Sequence, residues 1–295
     1  MSRPAGSPTP VHHVALAIVQ VCFGLFPVIG KDAFEGGFAP GAVAAWRVGV
    51  GGLLLGGIAF ALYGRRALPR REDLPRMVIA SALGIAINQL CFLEGLAKSK
   101  VVNAGLMIGM IPAMTYLVAL IAGQERIDRR RGLGIVVGLA AVLQLILADA
   151  AHLLGDVLLF TNMLVYSVYL VISRPLLERY PAIVTTAWMF LLSFWLLPIS
   201  TWDVSPVPDA ATTRGWWALA YVVVFPTILG YLLNLFAMTR LPASTAATYT
   251  FTQPAIIILS GYWVSHDAIN RPEWIAMAGV FIAMWLVLKG PRRAG

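Results

Sequence analysis

Gln20, Asn88, Gln89, Asn162, Asn234 and Gln253 carry side-chain amides, and Arg47 a guanidinium, inside runs of sequence that are otherwise apolar. An amide left unpaired in a hydrocarbon-like setting is costly, so each of these groups must meet a partner. That partner is either another helix or a bound molecule. Asn88, Asn162 and Gln253, together with Tyr166 and Tyr249, are expected to give a polar and aromatic lining. Arg47 has a long stem that can reach an aqueous surface, pair within the protein, or meet a ligand's carboxylate. Pro112 and Pro254 sit within apolar runs, where the missing N–H opens the helical ladder. Each offers a bend and an exposed backbone acceptor, or simply kinked packing.

Other chemistry is not visible. Cys22 and Cys91 each lie inside an apolar run, and the four histidines have no ligand-like spacing. No metal site and no cofactor is expected. No glycine-rich nucleotide loop followed by a lysine is present, and no clustered acids suggest an enzyme. No Asp or Glu stands in the middle of an apolar run. Asp149 and Asp156 flank the junction of the fifth and sixth runs and are expected near the outer surface. Glu94 precedes Lys98 by four, the favourable order for a pair on one helical face. A proton, if one is coupled, would have to use a rim acid such as Glu94 or Asp156.

These groups are positioned by a chain of 295 residues with 59% hydrophobic and 12% charged side chains, and a mean hydropathy of +0.79. About 25% charge is usual for a soluble domain, so a water-covered surface cannot be built from this composition. Ten apolar runs are long enough to span a bilayer as helices: 11–30, 41–63, 74–96, 101–122, 132–148, 154–173, 182–199, 215–237, 243–264 and 272–289. Their length and uniform apolarity exclude barrel strands. Placing the N-terminus inside puts 16 of the 22 Lys and Arg in or beside the cytoplasmic loops, among them Arg3, Lys289, Arg292 and Arg293. Five fall on the opposite side. Both termini are therefore expected to be cytoplasmic. The net charge of +8 then belongs to helix ends facing anionic lipid, and no nucleic acid is expected. The first run lacks a small-residue exit and reads as a retained helix.

The chain divides near Asp149 into 1–149 and 150–295, with five runs in each. An offset of 142 residues carries Pro112 onto Pro254, Ala104 onto Ala246, Glu125 onto Asp267 and Arg129 onto Arg271. Five is odd, so the two repeats have opposite orientations, the arrangement that places a substrate site near midplane. The expected fold class is all-α: a polytopic membrane protein of ten helices in two inverted five-helix repeats. Glycines four apart (Gly52/Gly56, Gly105/Gly109, Gly134/Gly138) mark faces where helices approach closely.

Three stretches carry a resemblance to a known family. They are "AAWRVGVGGLLLG", "FLEGLAKSKVVNAGLMIGMIPAMTYLVALIAGQE" and "NLFAMTRLPASTAATYTFTQPAIIILSGYWVSHD". The last two share a helix end, a short link, a small-residue run, a central Pro and an acid closing the next helix. Along nearly its whole length the chain resembles the EamA-type ten-helix permeases of the drug/metabolite transporter superfamily. The resemblance implies a secondary carrier in the bacterial inner membrane, exporting small metabolites, most of all amino acids, by alternating access. Its path would be built from Gln20, Arg47, Asn88, Gln89, Pro112, Asn162, Tyr166, Asn234, Tyr249, Gln253 and Pro254. It matches the family's Arg early in the second helix, which also allows a purely structural Arg47. The alternatives are a carrier of drugs, nucleosides or other metabolites, and a non-transporting scaffold or lipid-modifying enzyme. The expected partners are a small-molecule substrate and the bilayer, and a monomer suffices.

Overall fold

The structure, a computed structural model, describes residues 10–241, 245 and 249–288. Arg3, Ala246, Lys289, Arg292 and Arg293 lie outside the described residues. The described chain is all helical. We number the helical rods α1 (Pro10–Glu35), α2 (Pro40–Tyr63), α3 (Arg71–Lys98), α4 (Val101–Ile121), α5 (Arg129–Ala148), α6 (Leu153–Arg179), α7 (Ala182–Leu191), α8 (Thr213–Met238), α9 (Gln253–Trp263) and α10 (Arg271–Leu288). Among the described residues, seven helices are long and apolar enough to cross a membrane: α1, α2 extended to Ala67, α3, α4, α5, α6 and α8. This is a polytopic membrane protein.

The packing exchanges the roles of the two halves. α1 lies against α8 and α9, while α6 lies against α3 and α4; α4 meets α9, α2 meets α7, and α5 meets α10. Close approach is set by missing side chains. A Cβ on Gly105 would sit 2.9 Å from Ile257 of α9, and one on Gly138 2.4 Å from Met110 of α4. The main buried core fills this centre with Val102, Leu106, Met107 and Met110 of α4, Ile257 of α9 and Val280 of α10.

Three departures from the sequence reading have local causes. The seventh run does not continue from 182 to 199. It breaks after Leu191 and resumes as a short helix, Leu196–Ser200. The Ser193 hydroxyl donates back to Met189 O (2.9 Å) and meets Ser81 Oγ (2.6 Å), an alternative to the helical ladder. Pro254 is not at the centre of a helix. It opens α9, where its missing N–H costs nothing, after a turn closed by Thr252 N on Tyr249 O (2.9 Å). Pro112, by contrast, lies inside the unbroken α4. Finally, Asp156, expected near the outer surface as a rim acid, is buried in the first turn of α6: it is 0% exposed.

α3 and α8 each contain a π-helical segment, Ala82–Ile87 and Val223–Leu229. The offset of 142 that aligns the two prolines carries 82–87 onto 224–229, inside the second of these segments. Such bulges place an extra residue in the turn and commonly mark functional positions.

The two ends of the bundle are tied differently. At one end Arg214 pairs with Asp32 (2.6 Å), Lys100 with Glu273 (2.5 Å), and Val102 N donates to Asp267 (3.2 Å). There α1 and α8 touch through backbone, since a Cβ on Gly36 would lie 2.2 Å from Gly215 Cα. At the other end Arg179 pairs with Asp73 (2.7 Å), which also accepts from Tyr180 Oη (2.6 Å).

Candidate functional site

Between these ends lies a cavity of about 540 Å³, within the size range of small-molecule sites. α1, α2, α3, α4, α6, α8, α10 and the start of α9 all contribute to it. Gln20, Arg47, Asn88, Gln89, Pro112, Asn162, Tyr166, Asn234, Gln253 and Pro254 line it. Tyr249 does not. Its hydroxyl meets His13 Nδ1 at 3.0 Å instead, and it packs in a satellite cluster with Leu16 and Ala237. The π segments open onto the cavity, Gly84 and Ile85 from the first, Gly230 and Tyr231 from just beyond the second.

The charge is fixed by a short chain of local causes. Pro226 has no N–H to give to Val222 O. The Thr227 hydroxyl donates there instead, at 3.0 Å. This orients its oxygen, which accepts from Arg47 Nε at 2.9 Å. The guanidinium also lies 4.2 Å over the Phe26 ring, an arrangement that stabilises a cation without neutralising it. Arg47 is 6% exposed and belongs to none of the ion pairs among the described residues. Among the described residues it is the only charged one lining the cavity.

The polar lining divides into paired and unpaired groups. Asn162 Nδ2 donates to Asn88 O (2.9 Å), joining α6 to α3. Gln20 Oε1, Gln89 Oε1 and Thr115 Oγ1 are buried without a hydrogen-bond partner. All three residues face the same cavity. The rest of the wall is apolar and aromatic, with Phe23, Phe26, Phe92, Tyr166, Tyr231 and Phe251. Such a site can hold an anionic group at one end, accept from a donor at another, and enclose an apolar body. Thr227, Thr115, Phe26 and Tyr231 are the functional candidates that sequence reasoning missed. The Pro226–Thr227 pair was the one available signal, and only for Thr227.

Among the described residues no group of His, Cys, Asp and Glu is arranged to hold a metal. The polytopic bundle surrounds a mostly uncharged cavity, an arrangement that suits a secondary transporter of small metabolites. The EamA-like transporter family matches residues 12–147 and again 153–289, and the chain belongs to that family. It is 24% identical to the uncharacterised transporter YyaM of Bacillus subtilis, over 85% of this chain and 87% of that protein. It is 25% identical to a probable terminal-alkyne amino-acid exporter of Streptantibioticus cattleyicolor, over 72% and 71%. A WAT1-related protein of Arabidopsis thaliana is 21% identical over 94% and 84%. A solved crystal structure superposes with a TM-score of 0.66 at 17% identity, covering 98% of this chain and 99% of the other, which speaks to the fold.

Proposed function

We propose that this protein exports amino acids with apolar or aromatic side chains across the bacterial inner membrane by alternating access, and is not an enzyme. The observation that carries this reading is Arg47, the one charged lining residue among those described, sharing an aromatic cavity with three unpartnered side-chain oxygens. Arg47 would take the carboxylate, and Gln20 and Gln89 the ammonium. The apolar walls would take the side chain. Ten spans in two inverted repeats, 1–149 and 150–295, with cytoplasmic termini, complete the proposal. The exchanged packing roles of the halves and the matched π segments support it. The similarity to an amino-acid exporter favours this substrate class over drugs or nucleosides.

The test is flux into proteoliposomes of purified protein with labelled threonine, methionine and phenylalanine. Uptake above empty liposomes is expected, competed by phenylalanine but not by phenylalaninamide, which lacks the carboxylate. Equal competition by both would remove Arg47 as the carboxylate anchor. No flux of any of the three from folded protein would sink the amino-acid assignment.

A further inference from the structure

Asp156 lies outside the cavity, in the first turn of α6, where it is wholly buried. An acid in a first helical turn is ordinarily kept ionised by the helix end and by water. Here the carboxylate is buried, and its hydrogen-bond partners are neutral. The Ser99 hydroxyl donates to Oδ1, and the Asn103 amide nitrogen donates to both oxygens at 3.0 and 3.2 Å. The cations nearby are committed to other acids: Lys98 to Glu94, Lys100 to Glu273, and His152 to Asp149 (2.9 Å). Asp267, from the loop before α10, accepts from Val102 N. The His152 hydrogen bond and the Ala151 amide hold the Asp149 carboxyl below the usual range, so a second negative charge stays close to Asp156.

Asp156 itself lines neither cavity described, but its partner Asn103 lines a recess. That recess, of about 130 Å³, is lined by Lys100, Asn103, Asp149 and Glu273, among others. Asn103 lines that recess and touches Asp156, and its own Oδ1 is buried with no partner. An amide with a spare acceptor next to a carboxylate is suited to a carboxylic acid. With the amide rotated part of the way, the acid O–H donates to the amide oxygen while the amide N–H donates to the other carboxyl oxygen.

We propose that Asp156 is a proton-binding site reached from the recess between α4, α5 and α10, and that its protonation releases the α3–α4 link from α6. The proton comes from the adjoining water and forms an O–H bond on one carboxyl oxygen. The charge-assisted bonds from Ser99 and Asn103 weaken as the charge is lost. Gly155 lets this link lie directly on α6, since a Cβ there would be 2.5 Å from Lys98 C and O. Ser99 and Asp156 are the polar part of the same seam.

The test is infrared difference spectroscopy of the full chain in lipid, between about pH 8 and about pH 5, with no substrate present. A carboxylic-acid C=O band is expected at acid pH, absent in Asp156→Asn and retained in Glu94→Gln and Asp149→Asn. Ser99→Ala and Asn103→Leu remove donors to the charged form, so the band should appear about one pH unit higher in each. These two variants keep the proposal testable if Asp156→Asn does not fold. A difference spectrum unchanged by Asp156→Asn, or a band unmoved in both donor variants, overturns it. Because no substrate enters the experiment, its outcome is independent of the amino-acid reading.

Discussion

Arg47 is readable in the sequence as a charge in an apolar run. Its setting is not, because the residues that define it come from α1 and α8. Thr227 stands 180 positions away and is turned toward Arg47 by the break at Pro226. Phe26 faces the guanidinium only because α1 and α2 pack as they do. Two variants separate these contributions. Arg47→Gln removes the charge and should weaken a carboxylate substrate by about 2 kcal/mol or more, roughly 30-fold in the apparent KM of flux. Thr227→Val removes the hydroxyl that accepts from Arg47 Nε and donates to Val222 O but leaves the charge, so a smaller rise of about threefold to tenfold is expected. Equal effects would mean that Arg47 matters chiefly through its bond to Thr227. All six amide positions expected to face a path line the cavity, since polarity in an apolar run marks an inward face. Tyr249 does not share that signal. A tyrosine is at home on a helix end or against a histidine, and its type alone does not orient it.

Runs of apolar residues locate helices but say little about their internal geometry. The two π segments leave no periodic trace, because helices apolar on all sides carry no stripe to fall out of phase. The break after Leu191 is similarly silent: Ser193 looks like any serine until Ser81 and Met189 are brought to it. Glycine is more informative once its neighbours are known. Gly84, in the first π segment, would place a Cβ 2.6 Å from Tyr169 and 2.9 Å from Met189 Cε. Gly84→Ala should therefore lower the thermal unfolding midpoint, with an overpacking cost of about 1–3 kcal/mol. Gly57→Ala meets open space within α2 and should be neutral or raise the midpoint slightly. If both alanines behaved alike, the π segment would not be the tightly packed joint its geometry indicates.

Composition and loop charge state the membrane setting of the whole molecule before any contact is known. The packing partners of each helix are not written there, since helices surrounded by lipid and by each other look alike in sequence. Orientation can be tested directly. Trp202 is 89% exposed and Leu68 53% exposed, on loops expected at opposite faces. In a chain with Cys22 and Cys91 replaced by serine, Trp202→Cys should react with an impermeant maleimide added to intact cells. Leu68→Cys should react only after the membrane is opened. The reverse pattern would invert the topology.

A solitary guanidinium in the cavity also makes the transporter an electrical device. Moving a full elementary charge through the bilayer field corresponds to about 2.3 kcal/mol per 100 mV, and a tenth of the field to about 0.2 kcal/mol. Under the proposed alternating access, with Arg47 as the sole charge among the described residues lining the site, a cell interior held negative would draw the unloaded transporter toward its inward-facing form. A bound monoanion cancels that bias, whereas a zwitterion keeps it. That mechanism predicts a resting orientation set partly by membrane voltage, and a weaker voltage dependence in Arg47→Gln.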